Sequence, residues 1–141
     1  MLVSLGARAE DVEIEGICYS LNSETQTAGV VKKNGGYQGD IIIPSSVTYE
    51  STNYSVIKIQ NEAFRYNKDL TSITFPNSIE TVGSNAFGDC SNLKAVYISD
   101  LASWCNIFFE GSVYGWTNPL SQAHHLFLNG KEPERLMHPK E

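Results

Sequence analysis

Between positions 56 and 98 the alternation of apolar and polar residues is written twice. Val56, Ile59, Ala63, Phe64, Leu70, Ile73 and Phe75 are followed by Ile79, Val82, Ala86, Phe87, Leu93, Val96 and Ile98, each 23 residues further on. A fixed period in the twenties marks stacked coils, and it decides the architecture before local propensity does. Leu70-x-x-Ile73-x-Phe75 and Leu93-x-x-Val96-x-Ile98 predict short strands. Residues two apart share a face, so Ile73 and Phe75, like Val96 and Ile98, point into the coil. Pro76-Asn77-Ser78 predicts the turn that ends the first strand, because proline cannot continue a ladder. A return arm follows: Ile79-x-x-Val82, then Asn85-Ala86-Phe87. Ala86 is small enough for close approach, and Phe87 fills the space between coils. One such unit cannot bury its apolar face alone, whereas a stack makes the core continuous. The fold class is therefore a mainly β repeat solenoid with little α-helix.

The same grammar extends in both directions. Ile41-Ile42-Ile43-Pro44-Ser45-Ser46-Val47 matches Ile73-Thr74-Phe75-Pro76-Asn77-Ser78-Ile79, with Thr48 to Asn53 as a polar hairpin excursion. Ala123-His124-His125-Leu126-Phe127-Leu128 matches Leu93 to Ile98 at an offset of 30. Asn118-Pro119-Leu120 is placed opposite Asn85-Ala86-Phe87 at an offset of 33. The extra length lies in an aromatic insertion, residues 101–117. Leu136-Met137-His138-Pro139 reads as the start of an incomplete repeat. Residues 10–38 lack the repeat grammar. Val12 to Leu21 alternates like a strand pair around Glu15-Gly16, Thr27 to Val31 reads as another strand, and Asn34-Gly35-Gly36 is a turn signal. A solenoid end exposes unpaired backbone, so a dissimilar β cap is expected there. The organisation that results is 1–9, 10–38 as cap, 39–130 as a short repeat solenoid, and 131–141 as tail or unfinished repeat.

Composition narrows the function. The 141 residues carry a net charge of −6. No basic block longer than Lys32-Lys33 occurs, which argues against a nucleic-acid partner, since a phosphate-binding surface needs clustered Lys and Arg. No apolar run reaches the roughly 18–20 residues of a membrane-spanning helix. Cys18, Cys90 and Cys105 are too few for a disulfide framework and have no metal-ligand spacing. Three buried free thiols is the preferred reading, with a Cys90–Cys105 bridge as the alternative. Ala7-Arg8-Ala9 has the form of a signal-peptidase site, so residues 1–9 read as the remnant of a signal peptide. An ordinary N-terminal strand is the competing account.

Strand alignment predicts two outward columns. Ile42, Thr74, Tyr97 and Phe127 form one; Asp40, Ser72, Ala95 and His125 form the next. Aromatic residues are enriched at interfaces, so Ile42, Thr74, Tyr97, Phe127, Ser72 and His125 are the candidate ligand-binding residues. The competing expectation is that loop 106–117 folds over this face. Other constellations point to structure. Alternation sets His124 and His125 on opposite faces of a strand, poor geometry for one metal ion, with one packed between coils and the other exposed. Cys105, His124 and Asp100 lack the activated thiolate and oxyanion donors of a thiol hydrolase. Cys90 takes the place of Asn67 one repeat earlier and is read as structural. Trp104, Phe108, Phe109, Tyr114 and Trp116 suggest either a glycan or peptide platform or, by preference, a cover for the last coil. No catalytic residue, metal or cofactor is predicted.

Asn85-Ala86-Phe87-x-x-Cys90-Ser91-x-Leu93-x-x-Val96-x-Ile98 and Ser55-Val56-x-x-Ile59-x-x-x-Ala63-Phe64 resemble the BspA-like leucine-rich repeats of bacterial surface proteins. Ser99-Asp100-Leu101-Ala102-x-Trp104-Cys105 and Asn118-Pro119-Leu120-x-x-Ala123-x-x-Leu126-x-Leu128-Asn129-Gly130 do so too. Glu13-x-Glu15-Gly16-Ile17-x-Tyr19 and Gly39-Asp40-Ile41-x-Ile43-Pro44 look like the opening of such proteins. The resemblance covers most of residues 11–130 and is specific for fold rather than ligand. It implies a secreted or surface-attached bacterial protein with a non-catalytic recognition or adhesion role toward a protein or glycan. A structural spacer or assembly module is the alternative, with self-association through the C-terminal end. Such proteins commonly carry many repeats; about three are counted here.

Overall fold

The computed structural model describes residues 10–111 and 116–131; residues 1–9, the 112–115 part of the insertion with Tyr114, and the Leu136–Pro139 segment lie outside them. Two β layers face each other across one core. The strands are β1 Glu10–Ile14, β2 Ile17–Asn22, β3 Thr27–Val30, β4 Gly39–Ile42, β5 Ser46–Tyr49, β6 Thr52–Ile59, β7 Leu70–Thr74, β8 Thr81–Val82, β9 Ala95–Ile98, β10 Phe108–Phe109 and β11 Leu126–Leu128, with short helices α1 Leu101–Cys105 and α2 Leu120–Ala123. One layer runs β1-β2-β3-β6-β8-β10, with β5 paired to β6; the other runs β11-β9-β7-β4. From β3 onward the chain winds between layers and lays successive coils parallel to one another, as a solenoid requires, while β1–β2, β2–β3 and β5–β6 pair antiparallel.

The 23-residue interval is a physical repeat. Ile73 pairs with Val96 and Thr74 with Tyr97 in one layer, and Ile59 pairs with Val82 in the other. Ile73, Val96, Ile59, Val82, Phe64 and Phe87 are completely buried. The arms also stack: Phe64 donates its N–H to Ala86 and Tyr66 to Gly88. Left-handed residues recur at the same interval, Glu62 with Asn85 and Tyr66 with Asp89. Each tight bend of the arm needs one. The expected hairpin excursion is β5 and β6, closed by Glu50-Ser51 with φ of 49° and 70°. Two successive positive φ values make the primed turn whose twist matches antiparallel strands. Glu15-Gly16 closes β1 and β2 in the same way.

The inserted coil differs from the sequence alignment. Phe108 pairs with Thr81, an interval of 27. Four added residues precede it, the length of one helical turn, and α1 is that turn. Asp100 caps it, its carboxylate accepting from the Ser103 N–H at 2.9 Å and hydroxyl at 2.7 Å. Phe87 donates its N–H to Trp116, as Phe64 does to Ala86, which places Thr117 opposite Phe87 at an interval of 30. The offset of 33 for Asn118-Pro119-Leu120 is therefore corrected to the same 30 that sets Leu126 beside Val96. Trp104 is buried, edge-on to Phe75 at 5.1 Å and to Phe109 at 5.5 Å, so it fills the coil interior.

At the other end the layers are unequal. β3 continues the first layer beyond β6, and β2 and β1 extend it by two antiparallel strands. Among the described residues the second layer stops at β4, whose paired neighbour is β7. Tyr37 packs beneath this step. Its hydroxyl accepts from the Cys18 N–H and donates to the Val31 carbonyl, while its ring lies 4.7 Å from Phe64. Burial raises the Tyr37 hydroxyl pKa well above the ordinary phenol value. Among the described residues no helix is long and apolar enough to cross a membrane.

Candidate partner-binding face

The outer surface of β4-β7-β9-β11 carries the predicted columns in register. Ile42 pairs with Thr74, Thr74 with Tyr97, and Tyr97 with Phe127. Alternation along each strand makes this inevitable once Ile41, Ile73 and Val96 are paired as interior rungs. The Tyr97 and Phe127 rings stack at 5.1 Å with 26° between planes and are half-buried. Ile42, at the far end, is 68% exposed. The described part of loop 106–117 does not lie over this face. Its β10 joins the opposite layer beside β8, and Trp116 meets Phe87 through its carbonyl and Arg65 through its ring at 5.7 Å.

The second column behaves differently. Asp40 pairs with Ser72 and Ser72 with Ala95, and His125 immediately precedes the rung residue Leu126. Ser72 and Ala95 are buried at 6% and 8% exposure. The Ser72 hydroxyl donates to the Asp40 carboxylate at 2.8 Å, and the Thr71 hydroxyl does so at 3.0 Å. These two donors, Ser72 first, lower the Asp40 pKa. Ser72 thus anchors a surface carboxylate and has little surface of its own. Thr71 joins it as second donor because it is the extra β7 residue between the Gly39–Leu70 and Asp40–Ser72 pairs, a register shift that the alternation of the sequence does not announce.

The remaining chemistry is structural. His124 has φ of 64° and caps the C-terminus of α2, so it is not yet on a strand, and both histidines are exposed. The expectation that one packs between coils is corrected: a left-handed cap residue turns its side chain out of the ladder. Asp100 serves as the α1 cap, which holds its carboxylate pKa low through the Ser103 donors. The three cysteines are free, but only Cys90 is buried; Cys105 is exposed and Cys18 intermediate. The Cys90 thiol points to the Phe64 carbonyl at 3.0 Å, and burial pushes its pKa up to about 12. Asn67, one repeat earlier, does the equivalent work. Its side-chain oxygen accepts from Tyr37 N–H and its amide donates to the Arg65 carbonyl. Among the described residues no three His, Cys, Asp or Glu side chains are grouped to hold a metal ion. Phe108, 63% exposed, is the one member of the aromatic insertion left open among those described.

Comparison with known proteins agrees with this architecture. Residues 40–114, more than half of the chain, match the model of the BspA type leucine rich repeat region (6 copies). A leucine rich cell surface protein from Faecalibacterium prausnitzii A2-165 is 35% identical over 64% of this chain, with a TM-score of 0.55. A leucine-rich repeat protein from Bacteroides ovatus is 30% identical over 67% of it, with a TM-score of 0.54. The matched part is 24% of each of those two proteins, so this chain spans about a quarter of their length. A leucine-rich repeat protein from Bacteroides capillosus shares the fold over 84% of this chain and 97% of its own at 22% identity, with a TM-score of 0.56. No curated protein matches the chain. The stacked coils, their register and the matched repeat region together place it: the chain belongs to the BspA-type leucine-rich repeat family.

Proposed function

We propose that the chain is a non-catalytic recognition module of a secreted or surface-attached bacterial protein, which engages a protein or glycan through the outer face of β4-β7-β9-β11. The observation that carries this reading is the half-exposed Tyr97–Phe127 stack, continued across Thr74 to the 68% exposed Ile42. Two rigid aromatic rings held by parallel pairing form a contact surface with few torsions to lose on binding. The surface location is supported by the F. prausnitzii relative, named as a cell surface protein.

The direct experiment presents the purified chain to arrays of host-surface proteins and glycans, beside the Tyr97→Ala, Phe127→Ala double variant. Saturable binding that the double variant loses, with its cooperative unfolding retained, is the expected result. Clean negatives on both arrays would instead support a spacer with no ligand of its own.

A further inference from the structure

A second surface lies where the two layers end unequally. Among the described residues β4 is the terminal strand of its layer. Gly39 and Ile43 donate their N–H groups toward β7, to Asp69 and Thr74. Backbone groups alternate in direction along a strand, so those of Asp40 and Ile42 face away from β7. Neither makes a backbone hydrogen bond to another described residue on that side. Along this edge runs a groove. One part, about 360 Å³, lies between β4 and the β1–β2 turn, and a second, about 520 Å³, continues toward β5. Ile17, Ile42, Pro44 and Val47 supply its apolar lining, and the exposed Glu15 and Asp40 stand at its rim.

We propose that the free edge of β4 is a strand-addition site for an extended, basic polypeptide segment of a partner protein. An added strand pairs through main-chain groups about 4.8 Å from β4. Its side chains then alternate between the apolar lining at Ile17 and the outer surface beside Asp40 and Ile42. Charge selects the partner. Lys33, the one cation lining the groove among the described residues, is already bound to the Gly16 carbonyl at 2.9 Å and to Glu13 at 3.4 Å. Asp40 and Glu15 are left to face the incoming chain, and Asp40 is kept ionised by Ser72 and Thr71. The site goes beyond the outer-face reading and shares with it the β4 residues Asp40 and Ile42, not the Tyr97–Phe127 stack.

The test uses three capped hexapeptides of alternating sequence: Val and Lys, Val and Glu, and Val and Lys with every second amide N-methylated. Fluorescence anisotropy and amide exchange read the outcome on the whole chain. The expected result is binding of the Val–Lys peptide with slowed exchange at the Asp40 and Ile42 amides. N-methylation should weaken it about 10-fold for each hydrogen bond lost. The Tyr97→Ala, Phe127→Ala variant should bind the peptide as the native chain does, which separates this site from the outer column. Ile42→Pro, which removes an N–H that β7 does not use, should abolish binding while the melt stays cooperative. The proposal is overturned by no binding, by equal binding of the Glu or N-methylated peptide, or by loss of binding in the aromatic double variant. Protection of Ile42 by self-association of the chain without peptide would overturn it too, since a second copy would then own the edge.

Discussion

Two aromatic pairs in this molecule have the same separation and opposite circumstances. Phe64 and Phe87 stack at 5.1 Å with 8° between planes and no exposed surface. Tyr97 and Phe127 stack at 5.1 Å with 26° between planes, half-buried on the outer sheet. Parallel coils bring equivalent residues to one spacing wherever they lie, so ring distance alone carries no information about role. What separates the pairs is the side of the backbone they occupy. The inner rings exclude water from the coil and are held by neighbours on all sides. The outer rings have sheet on one side and solvent on the other, and a partner could add a contact without unmaking the fold.

The comparison can be broken most directly at Phe87. Replacing it by alanine should cost about 3–5 kcal/mol through lost burial and a residual cavity, read as a shifted urea midpoint. A smaller loss is expected at Gly83, where an added Cβ would stand 2.5 Å from the Asn61 backbone nitrogen. Gly83→Ala should destabilise by about 1–3 kcal/mol, because the arms must separate to admit it. The outer pair should matter less still to stability. Tyr97→Ala or Phe127→Ala should cost about 1 kcal/mol, mostly the ring contact itself. A loss at Tyr97 equal to that at Phe87 would make the outer stack a part of the core and remove the contrast. The smallest effect concerns Asp40, Glu62 and Asp100, whose pKa values are lowered by hydrogen bonds: from Ser72 and Thr71 for Asp40, from Lys32 and Arg65 for Glu62, and from Ser103 for Asp100. A folded pKa below the unfolded one contributes stability above the unfolded value, and that contribution is lost as pH falls through the folded one. Stability should therefore decline below about pH 4, and Asp40→Asn should show a shallower decline in thermal melts taken across that range.

The sequence disclosed the coils because burial of every rung enforces the same spacing. Ile59, Ile73 and Phe64 each have a counterpart 23 residues on that is equally buried. Register on the outer face followed without further assumptions, since strand alternation is a rigid rule. It disclosed less where a short helix replaced strand. The four residues taken up by α1 and the left-handed cap at His124 leave no apolar period to read, so alternation alone neither pairs Thr117 with Phe87 nor keeps the two histidines off a strand. Residue type alone predicts Cys105 inside, yet its exposure is decided by which side of a single helical turn it occupies. The open edge of β4 was also out of reach, because it depends on how far one layer outruns the other.

That inequality gives the molecule a direction. β3 offers a finished edge to β6, β6 to β8, and β8 to β10, while β4, β7 and β9 do the same in the opposite layer. From β6 onward, each new strand finds its template already made by residues that precede it in the chain. A polypeptide emerging from the ribosome N-terminus first meets its contacts in that order, so coil formation can keep pace with synthesis. The β1-β2-β3 hairpins, in this light, are a starting block: their pairing with one another is local in sequence, and the winding proceeds from them one way.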